Sequence, residues 1–171
     1  STFAFAGFER HAGHEYTRSS NPTRDLLAET LAKLEGGAGA VVTASGMSAV
    51  DLVLSLLRRG DLVVAPHDCY GGTYRLLAAR RDREQFDLAF VDQGDDAALA
   101  EALKRKPKLV LVETPSNPLM RVVDIRMIAS RAKEAGAKVA VDNTFLSPAL
   151  QRPIALGADF VIHSTTKYLN G

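Results

Sequence analysis

The chain has 171 residues, of which 46% are hydrophobic and 24% charged, and its formal net charge is +1. That is enough length and apolar content for one domain with a real core. The near-neutral balance excludes the electrostatic footprint expected of a nucleic-acid or membrane-surface binder. Residues 1–20 are aromatic and Gly-rich with weak periodicity, which predicts an irregular arm. Asn21-Pro22-Thr23 then reads as a helix start, with Asn21 as N-cap and Pro22 at the first helical position. Leu27, Leu31 and Leu34 recur at helical spacing until Gly36-Gly37 stops the run.

From there apolar runs alternate with amphipathic ones. Ala40–Ala44 is predicted as a first strand, and Ala49, Leu52, Val53, Leu56 and Leu57 mark a helix closed by Gly60. Leu62–Ala65, Leu88–Val91, Leu109–Val112, Val139–Val141 and Phe160–Ile162 read as further strands. Helices are expected through Leu76 and Leu77, after Asp95 through Leu99 and Leu103, and after Asp124 through Ile125, Ile128, Ala129 and Ala132. Strands apolar throughout, separated by amphipathic helices, predict an α/β fold with a mostly parallel sheet sandwiched by helices.

The single cysteine, Cys69, leaves no internal disulfide framework and points to a reducing, cytoplasmic setting. His11 and His14 lie three apart, but no Cys, Asp or Glu cluster completes a ligand set, so no metal is expected. No apolar run approaches the ~20 residues of a membrane span, and no signal-peptide pattern is visible. Arg80-Arg81 and Lys104-Arg105-Lys106 are flanked by acidic residues and read as solvated helix faces. The chain opens on Ser-Thr-Phe rather than Met, and it is expected to be processed, trimmed or incomplete.

In an open α/β sheet, ligands bind outside the carboxyl ends of the strands. The residues just after each predicted strand are strongly polar. They are Ser45-Gly46-Met47, the run from His67 to Gly72, the run from Glu113 to Pro118, Asp142-Asn143-Thr144, and the run from His163 to Lys167. Gly46 permits close backbone approach, and the free N–H groups of a helix start suit a phosphate; the plain alternative is a turn with Ser45 as N-cap. Asp142 offers either a surface carboxylate or a partner for a cationic ring nitrogen. Tyr70 offers a stacking ring or a packed tyrosine. Lys167, alone, would be a solvated lysine. Beside Ser164, Thr165 and Thr166 it becomes an amine next to phosphate-holding hydroxyls. A non-catalytic, Rossmann-like nucleotide-binding module would also explain the α/β pattern, but it needs a Gly-rich dinucleotide fingerprint that is missing, and it leaves the Ser-Thr-Thr-Lys run unexplained.

Six segments together resemble the transsulfuration (Cys/Met metabolism) PLP-dependent enzymes. They run Tyr16–Arg24, Ala44–Met47, His67–Arg75, Glu113–Pro118, Val141–Phe145 and His163–Gly171, and they span nearly the whole chain. The resemblance implies an aspartate-aminotransferase-like, fold type I large domain, with 1–20 as the end of an N-terminal arm and 21–171 as a truncated PLP-binding domain. It implies pyridoxal 5'-phosphate as cofactor. Lys167 would carry it and later move protons, and Asp142 would pair with its pyridine nitrogen. Ser45, Gly46, Met47, Ser164 and Thr166 would hold its phosphate. Tyr70 would stack on the ring and assist at the leaving group, Asn117 would contact the ring hydroxyl, and Thr144 would lie close by. Glu15, Arg75 and Glu113 are implied near the substrate. Tyr16 and Arg18 would reach the phosphate of a neighbouring subunit in a homotetramer of active dimers. The family's smaller C-terminal domain, which carries the arginine for the substrate's α-carboxylate, is implied to lie outside these residues.

Two reactions on small amino-acid substrates fit the resemblance. One is γ-elimination on cystathionine, giving cysteine, 2-oxobutanoate and ammonia. The other is γ-replacement, joining cysteine to O-succinyl- or O-acetylhomoserine. The stretches His67–Gly72 and Phe90–Asp95 look like the bacterial γ-replacing pattern. Glu15 stands where that pattern tends to have Asp, and Ser19 where it has a second arginine for a succinyl carboxylate. On those two positions, γ-elimination is the expectation.

Overall fold

The computed structural model describes residues 2–170. The chain divides into two compact units between Val42 and Thr43.

The first unit begins with an antiparallel pair, β1 (Phe5–Gly7) and β2 (Arg10–His11), and continues into α1 (Pro22–Glu35). Helix α1 starts where the sequence places it. Asn21 is extended, its side-chain oxygen accepts from the N–H groups of Thr23 and Arg24, and Pro22 opens the first turn. The helix ends at Gly36.

The second unit carries α2 (Gly46–Leu54), β3 (Leu62–Pro66), α3 (Gly71–Asp82), β4 (Asp87–Val91), α4 (Asp96–Lys104), β5 (Leu109–Glu113), α5 (Ile125–Glu134), β6 (Lys138–Asp142), α6 (Ser147–Leu150) and β7 (Phe160–Ile162). Asp95 and Asp124 cap α4 and α5 as expected, each accepting from first-turn N–H groups. The predicted strand over Ala40–Ala44 does not form. The segment pairs with no strand among the described residues, and Val41 is 73% exposed. An apolar run becomes a strand only where a neighbour takes its N–H and C=O groups. Helix α2 is also shorter than its apolar spacing suggests. It stops at Leu54, and Leu56 is exposed in the turn that follows.

Strands β3 to β7 form one five-stranded sheet in the order β4-β3-β5-β6-β7, and every pairing is parallel. Alternate residues of each strand face opposite sides. Val64, Val110, Val112, Val139 and Val141 meet Leu99, Leu103 and Ile128 from α4 and α5 on one face. Val63, Ala65, Leu109, Leu111, Ala140 and Ile162 meet Val50, Leu54 and Leu77 from α2 and α3 on the other. Both faces are therefore covered, which is why these strands read as unbroken apolar runs.

Register decides what lies along the carboxyl edge. Pro66 pairs with Val91, Glu113 with Asp142, and Asp142 with Ile162. The residues that follow these strands thus share one edge. Strand β3 has β4 on one side and β5 on the other, so the chain changes direction across the sheet between β3 and β5. Such a switch point opens a crevice at the carboxyl ends. No helix among the described residues is long and apolar enough to cross a membrane.

Candidate functional site

On the β6–β7 side, Asp142 ends its strand partly buried. Its Oδ1 accepts from the Thr144 N–H at 3.0 Å. Burial pushes its carboxyl above the ordinary carboxylate range, against hydrogen bonds from Thr144 and the nearby His163 that pull it down. Thr144 Oγ1 in turn accepts from the Ser164 N–H at 2.9 Å, which ties the turn after β6 to the turn after β7. Ser164 Oγ lies 2.9 Å from Thr166 Oγ1, and Lys167 Nζ donates to Thr166 Oγ1 at 3.3 Å. Lys167 is exposed and has no ion-pair partner among the described residues.

Helix α2 points its N-terminus at the same place. A Cβ on Gly46 would stand 2.8 Å from Ser164 Cβ and 3.1 Å from its Oγ. Only glycine lets the helix start come this close. Ser45 caps α2: its Oγ accepts from the Ser48 N–H at 3.1 Å and sits 3.0 Å from Ser48 Oγ. The cap engages the Ser45 hydroxyl, while the N–H groups of Gly46 and Met47 have no acceptor within the helix.

On the β3–β5 side, Tyr70 begins α3 without a side-chain cap and is 48% exposed. A Cβ on Gly72 would lie 2.5 Å from the Tyr70 ring and 3.0 Å from Met47 Sδ, so the starts of α2 and α3 are neighbours. Glu113, only 8% exposed, accepts from the Tyr70 N–H at 2.8 Å on Oε2 and from the Asn117 N–H at 2.9 Å on Oε1. Burial raises its carboxyl to about 7; the two amides oppose this, while Asp142 and Asp68 add to it. Burial also pushes the Cys69 thiol up to about 12, with Glu113 contributing. The thiol is therefore not a poised nucleophile.

The sequence carried no signal for a second set of residues that braces this side. Ser116 Oγ donates to Asp68 Oδ2 at 2.6 Å and accepts from the Arg121 N–H at 3.2 Å. Arg121 then reaches both oxygens of Asp92, at 2.9 and 2.7 Å, and His67 Nε2 at 3.1 Å. That ion pair holds the Asp92 carboxyl below its usual range. A cavity of about 460 Å³ opens beside the β3–α3 turn, and Arg75, Tyr74 and Leu119 line part of it.

The second unit thus assembles Ser45, Gly46, Met47, Tyr70, Arg75, Glu113, Asn117, Asp142, Thr144, Ser164, Thr166 and Lys167 along one edge. Glu15, Tyr16 and Arg18 belong to the first unit. There the Arg18 guanidinium lies 5.2 Å over the Tyr16 ring, and the Tyr16 carbonyl accepts from the N–H groups of Ser19 and Ser20. The donor set of the second unit fits a phosphorylated pyridine aldehyde. It offers N–H and O–H groups for a phosphate, a partly buried carboxylate for a ring cation, and an amine for the aldehyde.

The family model for Cys/Met metabolism PLP-dependent enzymes matches residues 1–171. The cystathionine gamma-synthase of Escherichia coli K12 is 62% identical over 172 aligned residues, covering 100% of this chain and 45% of that protein. A cystathionine gamma-lyase of Bacillus subtilis 168 is 42% identical over 162 residues, covering 95% of this chain and 43% of that protein. Among solved structures, the cystathionine gamma-synthase of Xanthomonas oryzae pv. oryzae, in complex with aminoacrylate and cysteine, superposes with a TM-score of 0.96 at 56% identity. That match covers 100% of this chain and 44% of that one. The chain therefore spans about half the length of the relatives it matches.

Proposed function

The chain belongs to the Cys/Met metabolism PLP-dependent enzymes, and from that premise we propose that it serves γ-replacement, joining cysteine to an O-acylhomoserine to form cystathionine. One observation carries the choice of reaction: 62% identity to a γ-synthase against 42% to a γ-lyase. The expectation of γ-elimination, which rests on Glu15 and Ser19, gives way to it. Those two positions sit in the arm, whereas the identity is spread over the whole chain.

Pyridoxal 5'-phosphate supplies an electron sink for a carbanion on an amino-acid substrate. The rest is the work of the chain. Lys167 Nζ would hold the cofactor's aldehyde and is placed to move protons at the substrate carbons. Asp142 pairs with the ring nitrogen and keeps it protonated. Its raised carboxyl supports this role, because a buried acid that resists ionisation is stabilised by a cation placed against it. The N–H groups of Gly46 and Met47 and the hydroxyls of Ser164 and Thr166 hold the phosphate, with Ser45 ordering the helix start. Tyr70 covers the ring and Asn117 contacts the ring hydroxyl, while Thr144 links Asp142 to Ser164. Glu15 and Arg75 face the substrate, Arg75 taking a carboxylate. Tyr16 and Arg18 reach the phosphate of a neighbouring subunit, in a homotetramer built from active dimers.

The test supplies the native protein with O-succinylhomoserine and cysteine, and separately with cystathionine alone. Fast cystathionine formation and slow 2-oxobutanoate release are expected, and the reverse order would overturn γ-replacement. A visible absorbance band abolished by borohydride is expected as well. Its absence, together with unchanged activity in Lys167→Ala, would sink the cofactor assignment.

A further inference from the structure

We propose that Glu113 is a positioning residue: its carboxylate clamps the β3–α3 turn to the loop after β5 and so holds Tyr70 and Asn117 at the cofactor site. The inference rests on the cofactor reading above and says how Glu113, which the resemblance places near the substrate, supports that site.

Glu113 ends a central strand, so its backbone is anchored in the sheet. Each of its oxygens takes one backbone amide, Tyr70 on Oε2 and Asn117 on Oε1. The first amide is 43 residues away in sequence and the second only four. The N–H groups of both residues have this one carboxylate as their acceptor. Tyr70 starts α3 with no side-chain cap, and its ring is half exposed. Asn117 lies in the loop that leaves the sheet.

A substrate-facing role fits less well, because turning the carboxylate outward would break both amide contacts at once. A purely stabilising role fits less well too. Glu113 is buried with Asp142 and Asp68 nearby, where a carboxylate is expensive to ionise. Glutamine would be cheaper to bury, but it has only one oxygen, and its NH₂ group would face an N–H donor. Two donors converging on one side chain call for a carboxylate.

The experiment compares the native protein with Glu113→Gln by amide hydrogen exchange and by titrating the cofactor-free form with pyridoxal 5'-phosphate. Loss of a charge-assisted hydrogen bond should speed exchange at the Tyr70 and Asn117 amides by about tenfold or more, while Val110 and Val141 keep their protection. Cofactor affinity should fall by on the order of tenfold, with an altered visible circular dichroism band. Unchanged protection at Tyr70 and Asn117, or equal loss across the sheet, would overturn the clamp.

Should Glu113→Gln fail to fold, the native protein still decides. Glu113 takes a proton as pH falls through about 7, with Asp68 and Cys69 from the β3–α3 turn and Asp142 from β6 facing it. Protection at Tyr70 and Asn117, relative to Val110, should fall over that range, and a constant ratio would overturn the proposal. Exchange reads the clamp without cofactor present, whereas the absorbance band reads the cofactor without the clamp. The two readings therefore fail separately.

Discussion

The two sides of the switch point are built differently. On the β6–β7 side, exposure rises from the partly buried Asp142 carboxylate to the exposed Thr166 and Lys167. Asp142, Thr144, Ser164, Thr166 and Lys167 form a short relay of hydroxyls and one carboxylate. On the β3–β5 side, the bracing runs from the buried Glu113 and Ser116 out to an exposed Arg121–Asp92 ion pair. Glu113 holds two backbone amides, and Asp68, Ser116, Arg121 and Asp92 lock the loop behind it. One side presents chemistry and the other presents position. A cofactor of the proposed kind needs both, because donors act at full strength only when fixed before binding.

That contrast can be broken first on the presenting side. Asp142→Asn keeps the shape and an acceptor for the Thr144 N–H but removes the charge. Affinity for pyridoxal 5'-phosphate should fall about 10–150-fold, the range for a hydrogen bond to a charged group, as read by titrating the cofactor-free protein. An unchanged affinity would place the ring cation elsewhere.

Next comes the seam between the sides. Gly46→Ala puts a methyl 2.8 Å from Ser164 Cβ, so either α2 or the β7 turn must move. A stability loss of about 1–3 kcal/mol in denaturant unfolding is expected for such overpacking. No loss would mean that the helix start is looser than its contact implies.

The smallest effect sharpens the bracing side. The Glu113 carboxyl sits above its ordinary value of 4.5, at about 7. Its contribution to stability is thus fully present below 4.5 and is lost as pH rises through about 7. Unfolding free energies should show this slope, on the order of 1 kcal/mol once solvent relaxation is allowed for, and Glu113→Gln should lack it.

Much of the fold was legible from pattern. The α1, α4 and α5 caps at Asn21, Asp95 and Asp124 are local devices, written within three or four residues of the groups they satisfy. The strands β3 to β7 were legible because both their faces are buried, so no polar residue interrupts them. The false strand at Ala40–Ala44 has the same composition but no partner, and partners are not written locally. The candidate site divides the same way. Asp142 and Lys167 could be placed at the carboxyl edge because one ends a strand and the other closes the short polar run after the next.

By itself, then, the sequence determined the α/β order, the helix starts and the residues at each strand's carboxyl end, all set by interactions between near neighbours. Only the tertiary structure decided that Gly46 touches Ser164, that Glu113 holds Tyr70 and Asn117 together, and that Arg121 ties Asp92 to His67. Three of those contacts join residues 29 to 54 positions apart along the chain. They exist because register and strand order bring separate turns to one edge, and neither periodicity nor spacing carries that information.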